Sequence, residues 1–223
     1  MDGVPPRIIL YGPARAPFTE KCRRGLVLKR LPFELREPGG PEDYQRWSPK
    51  TGLLPVMSVD GTLVSDSTDI LLELDRIQPD PPLLSADPTL SLQQRSLEDW
   101  ADESFLWYFS RWQRLSREGQ GEIERQASSP LVRRLLAWLR AGGTWERPQT
   151  ALLRGIADRL GDLVNLLGSR RFFYSEEISM ADLAVYGMLF TMRNDGIPGS
   201  ARLLSSQPLL LEFMRRVEER TGG

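Results

Sequence analysis

The stretch GLLPVMSVDGTLVSDSTDIL, residues 52–71, changes character twice. Residues 54–65, LPVMSVDGTLVS, read as a β-hairpin: two short runs flank Asp60-Gly61, a pair that favours the left-handed backbone angles of a tight turn. Asp66 and Ser67 then stand at the start of a helix, DSTDILLELDRI (66–77), which the proline-rich PDPPLLSADP (79–88) closes. Upstream, RIILY (7–11) is a short buried strand that ends at Gly12 and Pro13. A helix follows, with Pro17 in its first turn, where a missing amide does no harm. FTEKCRRGLVLKRL (18–31) puts Phe18, Cys22, Leu26 and the stem of Lys29 near one face, and Pro32 stops it. PFELREP (32–38) reads as a second strand and PEDYQRWSP (41–49) as a short irregular helix. The order strand, helix, strand, helix, hairpin, helix defines a compact α/β layer.

From residue 89 the pattern turns wholly helical. In the segment 89–115 one helical line holds Leu97, Trp100, Ser104, Trp107 and Arg111, and its neighbour holds Ala101, Phe105, Tyr108 and Trp112. So wide an apolar face asks for burial on more than one side. Further helices are predicted at 129–142, 150–168, 179–194 and 207–220. The expected organisation is an α/β domain over 1–79, a linker over 80–88 and an all-α domain over 89–223, with no repeat and no low-complexity tract.

Composition narrows the chemistry. The 29 basic and 30 acidic residues of the 223-residue chain nearly cancel and form no long run, so nothing marks a nucleic-acid or anionic-membrane partner. The single cysteine, Cys22, allows no intrachain disulfide, and histidine is absent. Ser/His and Cys/His dyads and ordinary zinc sites are thereby excluded within one chain, and no metal is expected. No segment has the length of a signal peptide's apolar core or of a membrane span, so a soluble cytoplasmic protein is expected.

Three segments in this order, GLLPVM (52–57), VSDSTDIL (64–71) and EEISMADLAVYGML (176–189), resemble the glutathione S-transferase superfamily. The resemblance implies a thioredoxin-like N-terminal α/β domain followed by an all-α C-terminal helical domain. GLLPVM is similar to the family's Gly-x-Val-Pro-Val-Leu segment, with Pro55 at the position that is cis in thioredoxin-like folds. A cis bond there would free the amide and carbonyl of Leu54 to pair with a peptide-like ligand; the alternative is a proline that merely opens an edge strand. VSDSTDIL aligns Asp66 and Ser67 with the pair that holds the γ-glutamyl end of glutathione. At a helix start, amides and a hydroxyl suit its carboxylate and Asp66 its amine; the alternative is ordinary capping. Ser179 and Asp182 form a capping box, which is a structural feature. DWADESFLWYFSRW (99–112) faintly resembles the metaxin-like branch. Its acids Asp99, Asp102 and Glu103 either line the interdomain cleft or form a solvated stripe.

The reactive position departs from the pattern. Classes with Ser-Pro or Cys-Pro at the first helix activate the glutathione thiol with the residue before the proline, and alignment puts Ala16 there. Tyr11 matches the tyrosine of other classes, as thiol activator or as core. Arg15 is read as a charge for a thiolate or as a solvated loop residue, and Thr19 as a group facing water or capping locally. Cys22 is read as a buried thiol rather than a nucleophile. Leu53 replaces a lysine that helps hold the glycine carboxylate, which leaves Lys50 to reach it. The resemblance thus implies glutathione as ligand or co-substrate, a small hydrophobic electrophile as its partner in conjugation, and a homodimer. The alternative is a non-catalytic binding or scaffolding module on the same fold.

Overall fold

The computed structural model describes residues 5–126 and 148–222. Its first part is a four-stranded sheet built from β1 (Ile8–Tyr11), β2 (Phe33–Arg36), β3 (Val56–Val59) and β4 (Thr62–Ser65), in the spatial order β2-β1-β3-β4. β1 and β2 run parallel, with Tyr11 opposite Arg36, and β3 lies antiparallel to β1, with Val56 opposite Tyr11. Asp60 and Gly61 both take positive φ, 48° and 88°, as a type I′ hairpin turn requires. The Asp60 carboxylate also accepts the Arg7 amide at 2.9 Å, which ties the turn to the entry of β1.

Helices α1 (Pro17–Leu28), α2 (Pro41–Trp47) and α3 (Ser67–Ile77) complete the α/β part. α1 stops three residues before the predicted end at residue 31, because Arg30 turns left-handed at φ 55°. Lys29, just past the helix, sends its ammonium to Asp75 at 2.5 Å and to the Pro81 carbonyl. The helical part comprises α4 (Pro88–Gln126), α5 (Pro148–Leu167), α6 (Met180–Arg193), α7 (Ser200–Ser205) and α8 (Pro208–Arg220). α4 runs well past the predicted 89–115. The helix expected at 129–142 lies outside the described residues.

α6 is the axis of the molecule: from Met180 to Leu189 every side chain is buried. Its capping box is present. The buried Asp182 carboxylate accepts from the amide and hydroxyl of Ser179, at 2.8 and 2.7 Å, and from the Phe173 amide at 2.8 Å. One hydrophobic cluster runs from Leu10, Leu26 and Met57 in the α/β part through Leu183 and Leu189 to Phe213 in α8.

Polar contacts fix α1 within this apolar body. Buried Glu20 accepts from Arg24 Nε at 2.7 Å, and the Arg24 guanidinium donates onward to the Tyr186 hydroxyl at 3.0 Å and to Thr221 Oγ1 at 2.9 Å. The crossing of α1 over α6 is close: a Cβ on Gly187 would lie 2.5 Å from the Pro17 carbonyl oxygen. Helix propensity alone would make Gly187→Ala stabilising by about 1 kcal/mol. The backbone contact reverses that sign, and the substitution is expected to lower stability by about 1–3 kcal/mol in urea unfolding. A stabilised variant would show that the crossing has slack.

Candidate functional site

The peptide bond between Leu54 and Pro55 is cis. It turns the chain sharply into β3, and Pro55 is buried while Leu54 is half-exposed. Neither the amide nor the carbonyl of Leu54 is hydrogen-bonded to another described residue. An extended peptide-like group could therefore pair there as an added strand. Leu53 is 70 % exposed beside it, and Lys50 is exposed in the same loop.

Beyond the hairpin, Asp66 caps α3: its Oδ1 accepts the Thr68 amide at 2.8 Å. Asp66 itself sits at φ 78°, a left-handed angle unusual for a residue with a Cβ, and it delivers Ser67 into a buried position. The Ser67 hydroxyl accepts a hydrogen bond from Lys21 Nζ at 3.1 Å. The same ammonium, almost wholly buried in α1, donates to Asp102 Oδ2 at 2.8 Å and to Glu98, both on α4. Thr68 adds a hydroxyl bond to Glu98. All three protons of Lys21 are thus engaged by groups from α3 and α4.

This arrangement has two chemical consequences. An ammonium never accepts, so Ser67 can only accept from Lys21, and its own proton has no acceptor among the described residues. The hydroxyl is thereby a poised donor for an anionic group. Second, one ammonium faces two carboxylates, those of Glu98 and Asp102. Burial opposes the charge on Lys21, but Asp102 and Glu98 outweigh it and raise its pKa. Burial likewise pushes the Asp102 carboxyl up to about 6 against the pull of Lys21, and Glu98 and Asp66 add to the rise. With Oδ2 on Lys21 and a side chain 20 % exposed, Asp102 retains Oδ1 for a further cation. A hydroxyl donor beside an acidic acceptor is complementary to adjoining carboxylate and ammonium groups.

The start of α1 is placed differently from these groups. Ala16 occupies the N-cap without any side-chain bond, so the first turn is open. Arg15 is exposed in the preceding turn. Tyr11 ends β1 opposite Val56 and sets its ring on Trp47, with centroids 4.7 Å apart. The Tyr11 oxygen is a neighbour of the Arg36 guanidinium, which the Glu34 carboxylate chiefly holds protonated. Thr19 is buried, and its hydroxyl finds no partner among the described residues. Cys22 is buried behind Ser67, its sulfur 3.8 Å from the Ser67 carbonyl, and burial pushes its thiol far up, so it is inert as a nucleophile.

The structure thus brings Ser67 and Asp102 together on Lys21, with Asp66 next to Ser67 in the chain, and leads Leu54 and Pro55 into β3 beside Tyr11 of β1. Of the three acids read on α4, Asp99 and Glu103 are exposed and only Asp102 turns inward. Lys21 and Glu98 escaped the sequence reading. Their signal was a lysine beside Cys22 on a buried stripe, and an acid four residues before Asp102. Among the described residues no cluster of Asp, Glu or Cys is arranged to hold a metal ion, and no helix is long and apolar enough to cross a membrane.

A thioredoxin-like sheet with a cis-proline loop, followed by a helical bundle around a capped central helix, defines a two-part fold. Two family models match it: residues 10–82 match the glutathione S-transferase N-terminal domain and residues 146–222 the C-terminal domain. The chain belongs to the glutathione S-transferase superfamily. No curated protein matches it by sequence. Among solved structures it is similar to rice glutathione S-transferase 1 in complex with glutathione, at 22 % identity and a TM-score of 0.69, covering 97 % of this chain and 88 % of that one. A glutathione S-transferase from Methylobacterium radiotolerans, in complex with glutathione sulfonate, shares 27 % identity at a TM-score of 0.63, covering 95 % and 90 %. FzlA from C. crescentus shares 21 % identity at a TM-score of 0.61, covering 95 % and 91 %.

The Lys21 ammonium is expected to be the main counter-charge at the seam. Lys21→Met should lower stability by about 3–5 kcal/mol in urea unfolding, because it leaves Glu98 and Asp102 enclosed without a partner. A loss below about 1 kcal/mol would show that water reaches these carboxylates.

Proposed function

We propose that the chain binds glutathione and conjugates its thiolate to a small apolar electrophile. The observation that carries this is the pairing of a hydroxyl donor, Ser67, with acidic acceptors, Asp66 and Asp102, one hairpin away from the free Leu54 backbone. The γ-glutamyl end of glutathione offers the complementary carboxylate and ammonium, and its cysteinyl backbone offers the strand-like edge for Leu54. Lys50 is the cation for the glycine carboxylate. In this reading residues 1–79 hold glutathione, residues 89–223 hold the electrophile, and the protein works as a cytoplasmic homodimer.

The chemistry follows from where the sulfur would lie, at the open first turn of α1. The thiol loses its proton to water, the thiolate forms a carbon–sulfur bond, and the leaving group departs with its electron pair. Ala16 contributes no hydrogen bond. Thiolate stabilisation falls to the positive end of α1, to Arg15 and to the Tyr11 hydroxyl. Proximity of the bound thiolate and electrophile supplies the rest of the acceleration.

Titration calorimetry tests the binding step. Wild type should bind glutathione, and Ser67→Ala should weaken binding at least about tenfold, by loss of a hydrogen bond to a charged group. Asp102 must be ionised to accept the ligand ammonium. Its carboxyl titrates near 6, so affinity should rise from pH 5 to pH 7.5, and Asp102→Asn should flatten that rise. An Asp102→Asn variant with an undiminished rise would remove Asp102 from the site.

Turnover is a separate question. Tyr11→Phe is expected to lower conjugation at neutral pH and to shift the rate profile to higher pH; an unchanged profile removes Tyr11 as activator. The uncapped Ala16 specifically favours a second reading, in which the fold serves as a non-catalytic binding or scaffolding module. That reading predicts glutathione binding without glutathione-dependent consumption of any electrophile, and steady turnover would overturn it.

A further inference from the structure

The far ends of α1, α3 and α8 meet around a separate cavity. Leu28 ends α1, Ile77 ends α3 and Arg220 ends α8, and residues at each of these ends line a space of about 610 Å³. That volume suits a small molecule. α1 and α3 each run roughly 16–18 Å, so the cavity lies a helix length from Ala16 and Ser67, which stand at their opposite ends.

Most charges around this cavity are already matched. Glu219 is held by Arg215, and Arg220 by Glu177. The buried Lys29 ammonium gives two of its three protons to Asp75 and the Pro81 carbonyl, which leaves one proton without an acceptor among the described residues. Two opposite charges remain. Arg30 and Asp80 both line the cavity, yet their side chains pair neither with each other nor with any other described residue. The three helix ends add their last carbonyls and the negative poles of their dipoles, which attract an ammonium. Val27, Leu31 and Pro81 supply an aliphatic wall.

We propose that this cavity binds a free amino acid with an aliphatic side chain. Its carboxylate takes the Arg30 guanidinium and the spare Lys29 proton, its ammonium takes Asp80 and the helix-end carbonyls, and its side chain rests on Val27, Leu31 and Pro81. A ligand that carries both charges satisfies both unmatched groups at once, whereas a ligand with a single charge leaves one of them to water. The site shares no residue with the glutathione reading above and does not depend on it.

L-Leucine is the probe, titrated calorimetrically into the full chain, with isocaproate and isoamylamine as analogues that lack its ammonium and its carboxylate respectively. Wild type should bind leucine with a dissociation constant below about 1 mM. Each analogue should bind at least about tenfold more weakly, and Arg30→Gln and Asp80→Asn should each weaken leucine by a similar factor, through loss of hydrogen bonds between charged groups. Both side chains are exposed, so both variants should keep the native fold, and circular dichroism checks each. Ser67→Ala should leave leucine binding unchanged. No heat of binding up to about 20 mM leucine overturns the proposal, and so does binding of either analogue as tightly as leucine. Leucine binding that survives at full strength in both folded variants, or that Ser67→Ala abolishes, overturns its assignment to this cavity.

Discussion

The ammonium of Lys21 is a buried positive charge that three separate elements must converge on at once. It starts in α1 and reaches Ser67 at the entry of α3 and Glu98 and Asp102 on α4, so a shift of either part of the molecule breaks at least one of its bonds. Buried ion pairs add little net stability compared with apolar packing, but a mismatched one is severely penalised. Its effect is thus to fix register: the α/β layer and the helical bundle can meet in one way only. The Glu20–Arg24–Tyr186 chain performs the same service on the other side of α1, toward α6 and α8. Between the two polar anchors Gly187 lets the helices approach, and the start of α1 is held against α6.

The fold was legible because its signals are local. Asp60-Gly61 specifies the turn, Asp66 and Ser179 mark helix starts, and Pro17 and Pro41 mark first turns, each acting over a few residues. The end of α1 was misplaced because Arg30, an ordinary residue, adopts the left-handed angle usually left to glycine. The heart of the candidate site was only half legible. Asp66 and Ser67 could be read as a pair because they are neighbours in sequence. Lys21 lies 46 residues from Ser67 and 81 from Asp102, and no periodicity links such distant positions. A charged residue on an otherwise buried stripe was the available clue, and it signals a partner without naming one.

Ala16 leaves the start of α1 without a polar side chain. The Lys21 cluster is densely hydrogen-bonded and Phe18 packs edge-on to Phe105, but the N-cap of α1 carries only a methyl group. Ser67 is held in a buried position by the Lys21 ammonium, whereas the Arg15 guanidinium before α1 is exposed.

The placement of Cys22 gives the molecule a built-in reporter. It is the only thiol in the chain, it has no solvent exposure, and burial keeps it protonated. A folded molecule therefore resists thiol exchange with a surrounding pool of small disulfides, however oxidised that pool becomes. An alkylating reagent would mark the chain only when α1 lifts away from α3. The rate of that labelling reads out how often the two helices part, without any engineered probe.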